Sequence, residues 1–306
     1  MAVLGIDIGG TKIAGGVVSE NAEIGAAFLL PTRAAEGFAV SLAQVYAVIE
    51  HLFTGAVSAI GICAPGPLNP KTGMVINPPN LPGWSNVPLA SDVAARFGVP
   101  CRVENDANAA CLAETLFGAA RGCSSVFYVT WSTGVGAGIV LDGKIYHGKN
   151  GFAAEGGHVT IDYASDSVCN CGSLGCIEVM ASGTAMAERA EHLIGDDPAT
   201  SLESPVTAES IGRAAAAGDL LALHVLDESA LMMGAWLGSM ISILDPDIIV
   251  IGGGVAQIGE PLFSRLRKIA PTRTINQFAA ATPIVPAALG ANVGILGAAA
   301  VVMEKH

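Results

Sequence analysis

The chain has 306 residues, of which 51% are hydrophobic and 14% charged, and its 38 glycines follow no period. That excludes a disordered chain, which needs low hydrophobicity and high charge, and it excludes a collagen. The formal net charge of −12, from 15 basic and 27 acidic residues, leaves no basic stripe for nucleic acid or an anionic membrane surface, so neither is expected as a partner.

In chain order, Ala2–Ile8, Lys12–Val18 and Ile24–Leu30 read as strands around a Gly9-Gly10 turn. Asp7 interrupts the apolar start and no basic region precedes it, so no signal peptide is expected and the location is expected to be cytoplasmic. Glu36–Phe53 fits a helix, and Val57–Cys63 a strand buried on both faces. A proline-rich loop runs from Pro65 to Pro88, followed by a helix at Leu89–Phe97 closed by Gly98. Pro100–Glu104 reads as a strand and Asn108–Phe117 as a helix. Ser124–Ser132 and Gly136–Leu141 read as paired strands, with Asp142-Gly143 as the turn. An irregular region from His147 to Cys176 precedes helices that extend to Leu244. Ile248–Ile251 is a strand ending in Gly252-Gly253-Gly254, and Val293–Lys305 is a last helix. The uncharged stretches Ser124–Leu141 and Ser229–Leu244 read as core, the first for its internal glycine loop and the second for falling short of about 20 residues. The pattern predicts an α/β protein with two lobes and a cleft between them.

Three glycine loops stand at strand ends. In Asp7-Ile8-Gly9-Gly10-Thr11-Lys12, backbone N–H groups can line a concavity for anionic oxygens. Thr11 and Lys12 add a hydroxyl and a positive charge, and Asp7 suits a hydrated Mg²⁺. An ordinary hairpin turn is the alternative. The second loop is Ser132-Thr133-Gly134-Val135-Gly136-Ala137-Gly138 and the third is Gly252-Gly253-Gly254. None is a P-loop or a Rossmann fingerprint, yet three together favour a nucleotide site. At Glu104-Asn105-Asp106-Ala107-Asn108, acidic and amide side chains meet a strand-to-helix junction. They fit a helix cap, or a general base that takes the proton of an attacking hydroxyl.

These strings, in this order, resemble the ROK family of bacterial sugar kinases and repressors. The resemblance runs through Gly5–Lys12, Ala64–Pro67, Pro79–Trp84, Glu104–Asn108, Thr133–Gly136, Glu155–His158, Cys169–Glu178 and Leu289–Ala299. It implies the actin-like (ribonuclease H-like) ATPase fold of sugar kinases, with ATP, Mg²⁺ and sugar in the interlobe cleft. The small lobe would span 1–120 with the C-terminal helix 291–306 packed back on it, and the large lobe 121–290 would carry the cysteine motif. Asp106 would be the base that activates the sugar 6-hydroxyl. Asn80, Asn105, Glu155, His158 and Glu178 would contact sugar hydroxyls. Asp7, Gly9, Gly10, Thr11 and Lys12 match the first phosphate loop, Thr133 and Gly134 the second, and Gly253 and Gly254 would lie near adenosine. A homodimer or homotetramer is implied.

The expected reaction is phosphorylation of glucose to glucose 6-phosphate. Ser132, where many members carry glycine, resembles N-acetylmannosamine kinases, whereas Glu155 resembles glucose-type members. N-acetylmannosamine, N-acetylglucosamine, mannose and fructose are therefore the alternative acceptors. A repressor-type member would carry an added helix-turn-helix, whereas this chain enters its first strand at Ala2. A sugar-sensing protein without catalysis would have no need of Asp106 and both phosphate loops.

His158, Cys169, Cys171 and Cys176 offer three thiolates and an imidazole, the donor set of a closed structural zinc site. His158 is expected to bind zinc through one ring nitrogen and the sugar through the other. The remaining Cys63, Cys101, Cys111 and Cys123 are expected in the core. His147 shows no ligand spacing and receives no role.

Overall fold

The computed structural model describes residues 2–195, 197 and 199–303; the final residues of the expected last helix, 304–306, lie outside them. The described chain forms two compact units. The first comprises Met1–Gly122, Gly138–Ala154 and Ala288–His306, and the second Cys123–Ala137 and Glu155–Ala287. The stretch 138–154, expected with the large lobe, groups with the first unit.

The sheet of the first unit has the order β3 (Ile24–Pro31), β2 (Lys12–Val18), β1 (Ala2–Ile8), β4 (Val57–Ala64), β7 (Cys101–Asn105). The first three strands form an antiparallel meander, because three residues suffice to turn β1 into β2. β1, β4 and β7 are parallel, and parallel neighbours need long crossovers. Helix α1 (Phe38–Leu52) supplies one; the other runs through the short strands β5 (Leu68–Asn69) and β6 (Met74–Val75) and helix α2 (Leu89–Phe97). Gly98 ends α2 in the left-handed region, as the sequence predicts. The next helix of the unit, α3 (Asp106–Leu116), starts two residues earlier than its expected first turn.

Helix α9 (Val293–Met303) packs on β1, β4 and α3, which explains why its sequence is apolar on every side. Its backbone meets the sheet where Gly5 and Gly61 stand side by side on β1 and β4. A Cβ on Gly61 would lie 1.8 Å from the Ala298 carbonyl oxygen, and one on Gly5 would lie 2.2 Å from that of Ile295. Backbone cannot yield as a side-chain tip can. Gly61→Ala is therefore expected to destabilise the protein by about 3 kcal/mol or more, read as a lower midpoint in urea with an unchanged slope.

The second sheet has the order β10 (Lys144–Ile145), β9 (Val135–Leu141), β8 (Ser125–Trp131), β11 (Ile248–Gly252), β12 (Ile284–Pro286). This repeats the order of the first sheet, a meander followed by two parallel strands. The Asp142-Gly143 turn joins β9 to β10 rather than to β8. Helices α4 (Ile177–Ala181), α5 (Gly183–Leu193), α6 (Ala208–Ala216), α7 (Leu220–Leu244) and α8 (Glu260–Ile269) complete the second unit. The expected short apolar stretch at Ser229–Leu244 is the second half of α7, which spans 25 residues and is long and apolar enough to cross a membrane. Its contacts with α4, α5, α6 and α8 bury Leu226, Ala230, Met233, Trp236 and Leu237, as a core helix requires.

Candidate functional site

Strand register brings the first group of residues to one edge. Asp7 pairs with Cys63, Cys63 with Glu104, and Ala64 with Asn105, so the C-terminal ends of β1, β4 and β7 open side by side. In open α/β sheets this is the edge where ligands bind. The Gly9–Thr11 turn is held from behind by buried Thr32, whose hydroxyl donates to the Gly9 carbonyl at 2.6 Å and whose N–H donates to Thr11 at 2.9 Å. Burial pushes the Asp7 carboxyl above its usual range; the Cys63 thiol, 3.4 Å from Oδ1, and the charge of Lys12 work against that shift.

Asn80 is exposed, but its neighbours Leu81 and Trp84 are fully buried and anchor its loop. The Trp84 indole N–H donates to Ser41 Oγ on α1 at 2.7 Å. The Asn80 backbone lies against the first glycine turn, where a Cβ on Gly10 would come within 3.1 Å of the Asn80 carbonyl oxygen. Asn105 is the N-cap of α3, and its Oδ1 accepts from Ala107 N at 2.9 Å and Asn108 N at 3.3 Å. Asp106 occupies the first helical position, is exposed, and accepts from its neighbour Ala107 N at 2.8 Å. The two readings of this motif are thus divided between residues: Asn105 caps, and Asp106 presents a carboxylate at the sheet edge.

The second unit gathers the remaining residues. Gly157 lies under the second glycine loop, and a Cβ there would be 1.8 Å from the Val135 carbonyl oxygen. This close approach sets the short turn Gly156–His158, with Glu155 at its start, beside that loop. Glu178, in the first turn of α4, accepts from Val135 N at 3.0 Å through Oε2. Gly253 adopts φ 92° and packs on the Trp131 backbone at the end of β8. Gly254 instead lines a cavity of about 1000 Å³ together with Ser132, Thr133, Gly183, Val255 and Ile258. The N-terminus of α5 enters this cavity at Gly183, whose N–H donates to the Ser132 carbonyl at 2.7 Å. Helices α5 and α6 supply the other wall, including Glu188 and Arg213, which no local motif marks.

The cysteine cluster lies in the same unit. The side-chain donor atoms of His158, Cys169, Cys171 and Cys176 all fall within 4.8 Å of one another. Cys171 Sγ and Cys176 Sγ are 3.8 Å apart, and Cys169 Sγ is 3.5 Å from His158 Nδ1. Tetrahedral zinc with its ordinary bond lengths requires about 3.8 Å between two sulfurs and about 3.5 Å between sulfur and nitrogen. Burial and the neighbouring thiols push Cys176 up to about 12, whereas the backbone N–H of Ser173 leads in lowering Cys171 to about 7. Such crowded thiols cannot all ionise without a cation, so the donor set and its spacing fit a divalent metal. Of the four other cysteines, Cys63 and Cys111 are buried as expected, while Cys101 and Cys123 are only partly so.

Two residues given no role from sequence stand beside the site. Glu104 is buried beneath the Asn105-Asp106 turn, and its Oε2 is 2.7 Å from His147 Nε2. They are 43 positions apart, so no spacing rule connects them.

A profile of the ROK family matches residues 3–305. The chain is 33% identical to a glucokinase from Thermotoga maritima, over 100% of this chain and 98% of that protein. The crystal structure of a ROK family glucokinase from Streptomyces griseus in complex with glucose and AMPPNP superposes with a TM-score of 0.83 at 34% identity, covering 98% of each chain. A xylose repressor from Caldicellulosiruptor bescii is 36% identical over 72% of this chain, which corresponds to 57% of the repressor.

Proposed function

Because the chain belongs to the ROK family, we propose that it is an ATP-dependent sugar kinase that phosphorylates the 6-hydroxyl of a hexose, glucose first. Its fold is that of the ROK sugar kinases, the actin-like ATPase class. The observation that carries the proposal is the exposed Asp106 carboxylate at the start of α3, on the same sheet edge as the Asp7 glycine turn. A sugar-sensing protein needs neither. The glucose and AMPPNP held by the Streptomyces griseus glucokinase support the choice of acceptor and donor.

In this reading Asp106 accepts the 6-hydroxyl proton as the oxygen attacks the γ-phosphorus, and the bond from that phosphorus to the β–γ bridging oxygen breaks to release ADP. Asn80, Asn105, Glu155, His158 and Glu178 are the proposed contacts to sugar hydroxyls. The turn Gly9, Gly10, Thr11 and Lys12 and the loop Thr133 and Gly134 receive phosphate oxygens. Adenosine fills the cavity of the second unit, against Gly254, with Gly253 shaping its rim. Asp7 would hold a hydrated Mg²⁺, whose charge would compensate that of the phosphates. Zinc held by His158, Cys169, Cys171 and Cys176 is structural, because four protein ligands leave no open position. With Nδ1 facing the cysteines, His158 keeps Nε2 for a sugar hydroxyl. We further propose a cytoplasmic homodimer or homotetramer.

A coupled ADP-release assay across glucose, mannose, fructose, N-acetylmannosamine and N-acetylglucosamine tests the reading. Glucose is expected to give the highest kcat/KM, and ATP hydrolysis without sugar only a small fraction of that rate, since transfer must exclude water. ATP hydrolysis equally fast with and without every sugar would overturn it.

A further inference from the structure

We propose that Glu104 and His147 form a positioning pair that sets the Asn105-Asp106 turn; the assignment rests on the kinase reading above. Glu104 is the second-last residue of β7 and is 3% exposed. A carboxylate there is costly unless its oxygens are satisfied. Oε1 accepts from the Asn105 backbone N–H at 2.8 Å and from Asn108 Nδ2 at 3.1 Å. Oε2 pairs with the His147 ring at 2.7 Å. One buried side chain thereby joins three things: the backbone N–H of Asn105, the first turn of α3, and the loop after β10.

That loop is tied down at further points. Tyr146 N–H donates to the Ile139 carbonyl at 2.8 Å, and Ala153 N–H donates to the His147 carbonyl at 3.2 Å. Lys71 Nζ donates to the Lys149 carbonyl at 3.2 Å, and Gly151 lies against Pro70, so close that a Cβ would be 2.9 Å from its Cδ. The loop ends at Ala154, immediately before Glu155. His147 thus links this loop to the turn that carries the base. A general base must be held tightly, because a displacement of about 1 Å can cost about 100-fold in rate. Glu104 and His147 act through Asn105 and Asp106, and neither has to touch the sugar.

The test compares wild type, His147→Phe and His147→Gln by steady-state kinetics and by amide hydrogen exchange. His147→Phe removes the ring nitrogen but keeps the bulk, and His147→Gln retains an N–H donor. Expected for His147→Phe is a kcat lowered about tenfold with the KM for ATP unchanged. Faster exchange is expected in peptides covering both 103–108 and 146–154, and His147→Gln should recover most of both effects. Should the Phe variant fail to fold, His147→Asn, polar but too short to reach Glu104, is expected to give the same readouts. Unchanged exchange at 103–108 overturns the pair, even if the loop itself loosens. Equal losses in the Phe and Gln variants overturn it too. If the wild type phosphorylates no sugar, the kinase reading fails, while the exchange comparison still decides whether His147 sets the turn.

Discussion

Asp106→Asn is expected to lower kcat by about 10²–10⁴, because the amide keeps size and polarity but cannot take the hydroxyl proton. The helix should survive the change. Asn105, not Asp106, is the N-cap of α3, and the amide oxygen of the new side chain can still accept from Ala107 N. The expected signature is therefore a loss in kcat and kcat/KM together, with sugar affinity and melting temperature close to wild type. A kcat near wild type would remove Asp106 from the chemistry. A loss of kcat accompanied by unfolding would assign it to the helix instead.

Removing the metal should have the second large effect. Elemental analysis is expected to find about one zinc per chain, as one closed four-ligand site demands. Cys171→Ser should lose that zinc, and the KM for sugar should rise by at least about tenfold while the KM for ATP changes little. The separation follows from geometry. His158 belongs to the cluster, and Cys169 Sγ is 3.8 Å from Glu178 Oε1, so two proposed sugar contacts depend on the folded motif. The first glycine turn is held independently by Thr32. Zinc-free protein with unchanged sugar affinity would reduce the cluster to incidental thiols.

Much of the site is legible in the sequence because its chemistry is local. The Asp7–Lys12 turn, the Glu104–Asn108 junction and the Cys169–Cys176 run each place their functional atoms within one turn or one short loop. Residue type and spacing there nearly determine geometry. The first three strands, the Leu89–Phe97 helix with its Gly98 cap and the Ile248 strand are read for the same reason, from period and punctuation. Helix α8 carries local signals of its own, with Pro261 in its first turn and Arg267 and Lys268 in its last. Strand β12 is too short, at three residues, to show a period.

What the tertiary structure alone decided depends on contacts between distant positions. Gly5 and Gly61 read as ordinary strand glycines until α9 is laid across them. The cavity wall from α5 and α6 has no motif, because its residues share a surface and not a spacing. The grouping of 138–154 with the first unit, and with it the reach of His147 to Glu104, follows from how the chain packs after β9. By itself the sequence determined which residue types carry the chemistry and the local turns that present them. Only the folded chain decided which buried groups stand behind them, because register and packing join residues that no periodicity links.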